Sequence, residues 1–155
     1  MQALIVIDMQ RWMFRQSERA AQLLSLVPKI NNLAHEFSVA GLPIFDVRTS
    51  LKADRSNWSR LMLKYDCSCM IERTADVDPV EDFKIPNSAQ LIHKAANSAF
   101  LKTDLADQLR AENIDRVALC GVFLHGCVAL TAADAEQLGF GVLMVDDGIG
   151  HREEQ

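Results

Sequence analysis

An α/β fold built on a parallel sheet is what this sequence predicts, and two observations carry the prediction. Short apolar runs, several of them β-branched, alternate along the chain with segments of helical periodicity. That alternation places helices on both faces of a parallel sheet. The chain also has 155 residues, 49% hydrophobic and 24% charged, with no repeat, low-complexity stretch or linker-like segment. It is long enough to bury a core without disulfide or metal staples, and 1–155 reads as a single domain.

The elements follow in order. "ALIVID" (Ala3 to Asp8) is continuous and β-branched, the pattern of a strand covered on both faces. Leu23, Val27, Ile30, Ala34 and Phe37 recur at helical spacing, with Ser25 as N-cap, Pro28 in the first turn and Gly41 at the end. "LPIFDVR" is the second strand, and the polar, irregular segment from Thr49 to Ser88 holds one short helix around Trp58 to Lys64. "AQLIHK" is the third strand, "TDLADQLRAEN" a short capped helix and "RVALCGV" the fourth strand. A helix from Val128 to Leu138, closed by Gly139, precedes a fifth strand, "GVLMVDD". Parallel strands are therefore expected near residues 3–8, 43–48, 90–94, 116–121 and 141–145.

Charge and composition narrow the partners. A formal net charge of -5 and a pI near 5.3 argue against nucleic acid and against an anionic membrane surface. "MQALIVID" lacks the basic flank and length of a signal peptide, and no apolar run reaches bilayer length, so a cytoplasmic location with reduced thiols is expected. Cys67, Cys69, Cys120 and Cys127 do not stand at structural-zinc spacing. Neither a P-loop nor a G-x-G-x-x-G follows the first strand, which removes the usual nucleotide signals. No cofactor is expected, and a small molecule is the expected partner.

In parallel α/β folds, ligands bind at the carboxyl ends of the strands. That rule selects Asp8 from the first strand, Asp46 and Arg48 from the second, Lys94 from the third, and Asp146 and Asp147 from the fifth, with Cys127 opening the helix after the fourth. The positive end of a helix lowers a thiol pKa, and a nearby lysine favours the thiolate. Amides of the same turn can bind developing negative charge, and an aspartate can carry the thiol proton and later activate water. Each residue taken alone has a plainer reading: a buried structural cysteine, a turn aspartate, a solvated lysine. Their placement at one sheet edge lifts the set.

"ALIVIDMQ", "HKAANSAFLKTDL" and "GVFLHGCVALTAADAEQLGFGVLMVDD" together resemble the isochorismatase-like cysteine hydrolases, the family of nicotinamidases, N-carbamoylsarcosine amidases and isochorismatases. The resemblance implies a three-layer, Rossmann-like α/β/α fold of five or six strands and a catalytic triad of Asp8, Lys94 and Cys127. It also implies an oxyanion hole from the backbone amides of Phe123 and Cys127, and a cis Val122–Phe123 bond. Oligomers are usual in the family, so a homodimer or higher homo-oligomer is expected. The chain departs from the family in several places. Arg48 stands where nicotinamidases carry a metal-binding histidine, so no metal is expected; Arg48 either faces a substrate carboxylate or is solvated. His125 lines the pocket or faces solvent, and Trp12 and Phe14 form a pocket wall or pack in the core. The C-terminus is short for the family. The expected activity is metal-independent cleavage of a small amide-like C–N bond through a thioester. Cleavage of a vinyl ether, or a family member kept without catalysis as a binding or assembly protein, are the alternatives.

Overall fold

The computed structural model describes residues 1–15 and 20–151. Five strands form one sheet: β1 (Gln2–Ile7), β2 (Ile44–Thr49), β3 (Gln90–Lys94), β4 (Arg116–Val122) and β5 (Gly141–Gly150). Their order is β3-β2-β1-β4-β5, and every pairing is parallel. The helices are α1 (Arg11–Arg15), α2 (Ala20–Leu24), α3 (Leu26–Val39), α4 (Arg60–Tyr65), α5 (Leu105–Ala111) and α6 (Ala129–Gln137).

β1 is the central strand, and from Ala3 on its side chains are fully buried. Alternate side chains leave opposite faces of a strand, so β1 serves two cores. Ile5 and Ile7 join Val47, Ile92, Val117 and Leu119 beneath Leu105 and Leu109 of α5 and Ala135 of α6. Leu4 and Val6 join Ala118 and Val122 beneath Met13 of α1 and Val27, Ile30 and Ala34 of α3. The result is three layers. The chain builds outward from β1 through β2 to β3, then returns to place β4 and β5 on the other side. The crevice where that direction reverses lies at the carboxyl ends of β1 and β4.

Four local expectations are corrected. Ser25 does not cap α3: its backbone is already helical, and its hydroxyl donates to the Gln22 carbonyl at 2.6 Å, continuing the turn from α2. The short helix begins at Arg60 rather than Trp58, because Ser59 is the cap and accepts from the Met62 N–H at 3.3 Å. The capped helix after β3 is shorter than "TDLADQLRAEN", spanning Leu105–Ala111, and its N-cap residue Asp104 makes no side-chain capping bond. The fifth strand does not stop at its aspartates. A register shift between Leu119 and Gly121 carries it on to Gly150, which pairs with Val122, leaving Asp146 and Asp147 exposed in mid-strand. A Cβ at Gly150 would meet Val122, Leu23 and Leu26 at 2.7, 2.8 and 3.0 Å. The glycine serves close approach of strand to helix. Among the described residues, no helix is long and apolar enough to cross a membrane.

Candidate active site

Asp8 follows β1 in the left-handed backbone region (φ 54), uncommon for a non-glycine residue and concentrated at functional sites. Its side chain is fully buried. Oδ1 accepts the Thr49 N–H at 3.0 Å and the Thr49 hydroxyl at 2.9 Å. Oδ2 faces the Lys94 ammonium at 2.9 Å, with both side chains shielded from solvent.

Lys94 ends β3, and the sheet register sets it beside Thr49 of β2. Its Nζ also donates to Thr49 Oγ1 at 2.9 Å, to the Ala96 carbonyl at 3.0 Å and to Cys127 Sγ at 3.4 Å. A buried ion pair holds only when its remaining hydrogen-bonding capacity is met, and Thr49 and Ala96 meet it here. Burial pulls the Lys94 pKa down, but Asp8 and Cys127 outweigh it and the net shift is upward.

Cys127 sits in a wide turn, Leu124–Val128, between β4 and α6, entered through the cis Val122–Phe123 peptide. The Phe123 carbonyl accepts from Gly126 and Val128, each at 3.2 Å, closing the turn around the cysteine. Helix α6 starts after it, at Ala129. The thiol is only 9% exposed, and besides Lys94 it meets Asn97 Oδ1 at 4.0 Å. Its pKa runs against the sequence expectation. Burial pushes it from 9.0 to about 12, the Asp8 carboxylate adds to the rise, and Lys94 opposes it. A resting thiol beside a carboxylate and an ammonium is the arrangement that results.

Three residues at this site escape a reading of strand ends. Thr49 is one position past Arg48, and one position reverses the face of a strand. Its hydroxyl accepts from Lys94 while donating to Asp8. Gln10, fully buried, accepts the Thr49 N–H at 2.8 Å and donates to the Thr49 carbonyl at 2.8 Å and to the Val77 carbonyl at 3.2 Å. Asn97 is the third. "DMQ" and "KAAN" carried the signal in their spacing from Asp8 and Lys94.

The remaining residues singled out in the sequence lie elsewhere. Arg48 points to the α3 side, where its Nε donates to Asp46 Oδ2 at 2.8 Å and its Nη2 to the same oxygen. The guanidinium is thus engaged by Asp46. Burial raises the Asp46 pKa, and Arg48 offsets only part of the rise. Phe14 is buried in the α1–α3 core and Trp12 packs against it. His125 is exposed, edge-on to His151 with ring centroids 6.3 Å apart.

A cavity of about 760 Å³ adjoins Lys94, Ala95 and Ala96 and is walled by Trp58, Asn57 and Leu101. Neither Asp8 nor Cys127 lines it, though both contact Lys94, which does. Trp12, Phe14, Arg48 and His125 are not among its lining residues either. No group of three or more His, Cys, Asp or Glu side chains is placed to hold a metal among the described residues. At the end of β2, Asp46 Oδ2 meets Arg48, whose guanidinium stays charged and is not a ligand for a divalent ion.

Comparisons with known proteins identify the family and the fold. The isochorismatase domain profile matches residues 2–155. An uncharacterized isochorismatase family protein, YecD, from Escherichia coli O157:H7 is 31% identical over 151 residues, covering 94% of this chain and 77% of its own length. An N-carbamoylsarcosine amidase from Thermoplasma acidophilum superposes with a TM-score of 0.86 at 24% identity, covering 99% of this chain and 86% of that one. A zinc-bound pyrazinamidase from Pyrococcus horikoshii superposes with a TM-score of 0.84 at 29% identity, covering 98% and 87%. A sheet of this order and a full-length family match leave one conclusion: the chain belongs to the isochorismatase family and is a hydrolase.

Proposed function

We propose that this hydrolase cleaves the C–N bond of a small carboxamide through a Cys127 thioester, without a metal. One observation carries the proposal: a carboxylate, an ammonium and a thiol, drawn from three separate strand ends, meet in one buried cluster. Such a cluster leaves charge buried where packing alone would not place it, and perturbed groups of this kind concentrate at catalytic sites.

The steps follow from the contacts. Cys127 Sγ attacks the carbonyl carbon while its proton passes to Asp8. The oxyanion is held by the backbone N–H groups of Phe123 and Cys127, and the Lys94 ammonium lies 3.4 Å from the attacking sulfur. Collapse returns the proton from Asp8 to the leaving nitrogen, which departs as ammonia or an amine. Asp8 then takes a proton from water, hydroxide adds to the thioester, and the acid product leaves as Cys127 regains its proton. One amide and one water become one acid and one amine.

Support for the amide reading comes from the relatives: both superposed proteins are named as amidases. Testing calls for a panel of small carboxamides assayed for ammonia release, with Cys127→Ala as control and with protein dialysed against chelators. Release that needs Cys127 and survives chelation is the expected result. Activity lost on chelation and restored by zinc or iron would overturn the metal-independent reading.

A further inference from the structure

Lys94 has more acceptors around it than protons to give. An ammonium donates three hydrogen bonds and accepts none. Its Nζ lies 2.9 Å from both Asp8 Oδ2 and Thr49 Oγ1, 3.0 Å from the Ala96 carbonyl and 3.4 Å from Cys127 Sγ. A thiol sulfur is the weakest acceptor of this set, so in the resting site it is the one left short. The same inventory fixes the direction of the Thr49 hydroxyl. Its oxygen receives from Lys94, which cannot accept, so its proton goes to Asp8 Oδ1 at 2.9 Å. Oδ1 also accepts the Thr49 N–H at 3.0 Å. A proton on Oδ1 would face two donors, whereas a proton on Oδ2 leaves both Thr49 bonds intact and a lone pair for Lys94.

Thr49 is itself held from two sides. The sheet register pairs it with Lys94, and the Ser50 N–H donates to the Lys94 carbonyl at 2.9 Å. Gln10 grips its main chain from the end of β1, accepting the Thr49 N–H and donating to the Thr49 carbonyl, each at 2.8 Å. Its side chain is buried and β-branched, with few rotamers open to it. Thr49 does not line the cavity. Its contacts therefore run to the proton-carrying groups and to the frame that holds them.

We propose that Thr49 is a positioning residue with two tasks: it reserves Asp8 Oδ2 as the oxygen that takes and returns the proton, and it competes with Cys127 for the protons of Lys94. The first task rests on the mechanism proposed above, in which Asp8 carries the thiol proton. The second rests on the contacts of Lys94 alone. Competition holds the thiol in its resting state until a substrate carbonyl arrives, and the fixed oxygen then gives its proton one place to go.

Two readouts on Thr49→Val and Thr49→Ser test the tasks separately. Alkylation of Cys127 by iodoacetamide, followed by peptide mass mapping, reads the sulfur without any substrate. Valine keeps the shape and removes the hydroxyl, which releases a Lys94 proton to the sulfur, and Lys94 favours the thiolate. Alkylation at neutral pH is expected to rise about two- to tenfold, the range that one net hydrogen bond supplies. With whichever small carboxamide the wild-type protein cleaves, kcat is expected to fall about tenfold or more at unchanged KM. Thr49→Ser restores the hydroxyl and should bring both readouts back toward the parent. Both variants are assayed where thermal melts show them folded; if Thr49→Val does not fold, Thr49→Cys, a weak donor and acceptor, takes its place. Alkylation that is unchanged or slower, a loss confined to KM, or turnover in Thr49→Ser as low as in Thr49→Val would overturn the proposal. If alkylation responds as expected but the wild-type protein releases no ammonia from any carboxamide, the amide reading fails while the competition for Lys94 stands.

Discussion

The position of one proton decides how Cys127 works. Asp8 raises the thiol pKa through both its charge and its contact with the sulfur, while Lys94 lowers it. Replacing Asp8 by Asn removes the raising influence and leaves the lysine, so the Cys127 pKa must fall. Alkylation of Cys127 by iodoacetamide at neutral pH should therefore become faster in Asp8→Asn, by up to about tenfold for each unit by which the pKa falls. If Asp8 carries the proton as proposed, amide turnover should drop about 10²–10⁴-fold in the same variant. Peptide mass mapping of the alkylated cysteine and an ammonia assay read the two effects. Their opposite signs separate a proton carrier from a merely structural aspartate. Stability carries the same signature. With the folded thiol raised from 9.0 to about 12, the unfolded chain ionises first as pH climbs through that window, so the folded state loses stability between about pH 9 and pH 12. Lys94, also raised, acts in the same direction at the upper end of the window. Urea denaturation across this range should show a shallower alkaline decline in Cys127→Ala than in the wild type.

At the scale of the elements, the site depends on how closely β1 and β4 approach at their carboxyl ends. Gly121 pairs with Ile7, the residue before Asp8, at a φ of 114, and a Cβ there would fall 2.1 Å from the Ile7 carbonyl oxygen. Gly121→Ala should cost on the order of 3 kcal/mol of stability, from unfavourable backbone conformation and overpacking together. Amide turnover should fall more than stability alone explains, because the shift would move Asp8 away from the turn that carries Cys127. Denaturant midpoints and turnover at a temperature where the variant stays folded would measure both. The same scale shows what the sequence made legible. Continuous apolar runs announced β1 and β4, and helical spacing announced α3, since burial on two faces or on one stripe leaves a direct record in residue type. Strand ends leave a weaker one. Reading β2 as finished at Arg48 set Asp46 and Arg48 toward the site, whereas the strand runs one residue further and turns Thr49 to the Lys94 side. Gln10 was invisible for another reason: its side chain bonds a backbone segment 39 residues away. No local pattern encodes such a partner, and the cavity walls, drawn from loops distant in sequence, were unreadable for the same cause.

For the molecule as a whole, the sheet acts as a rigid frame that brings three strand ends together, and the loops after β2 and β3 supply the cavity that adjoins them. The frame accounts for the convergence of Asp8, Lys94 and Cys127; what it acts on is set by the loops, as expected where one fold serves many substrates. Under the proposed mechanism, Cys127 becomes acylated during turnover. The most direct test is acid quenching of the wild-type protein in mid-turnover, with whichever panel carboxamide is cleaved fastest, followed by peptide mass analysis. An adduct of the substrate's acyl mass on the Cys127 peptide, released by hydroxylamine and absent in Cys127→Ala, is the expected result. Steady ammonia release with no acyl adduct on Cys127, or turnover that persists in Cys127→Ala, would contradict it.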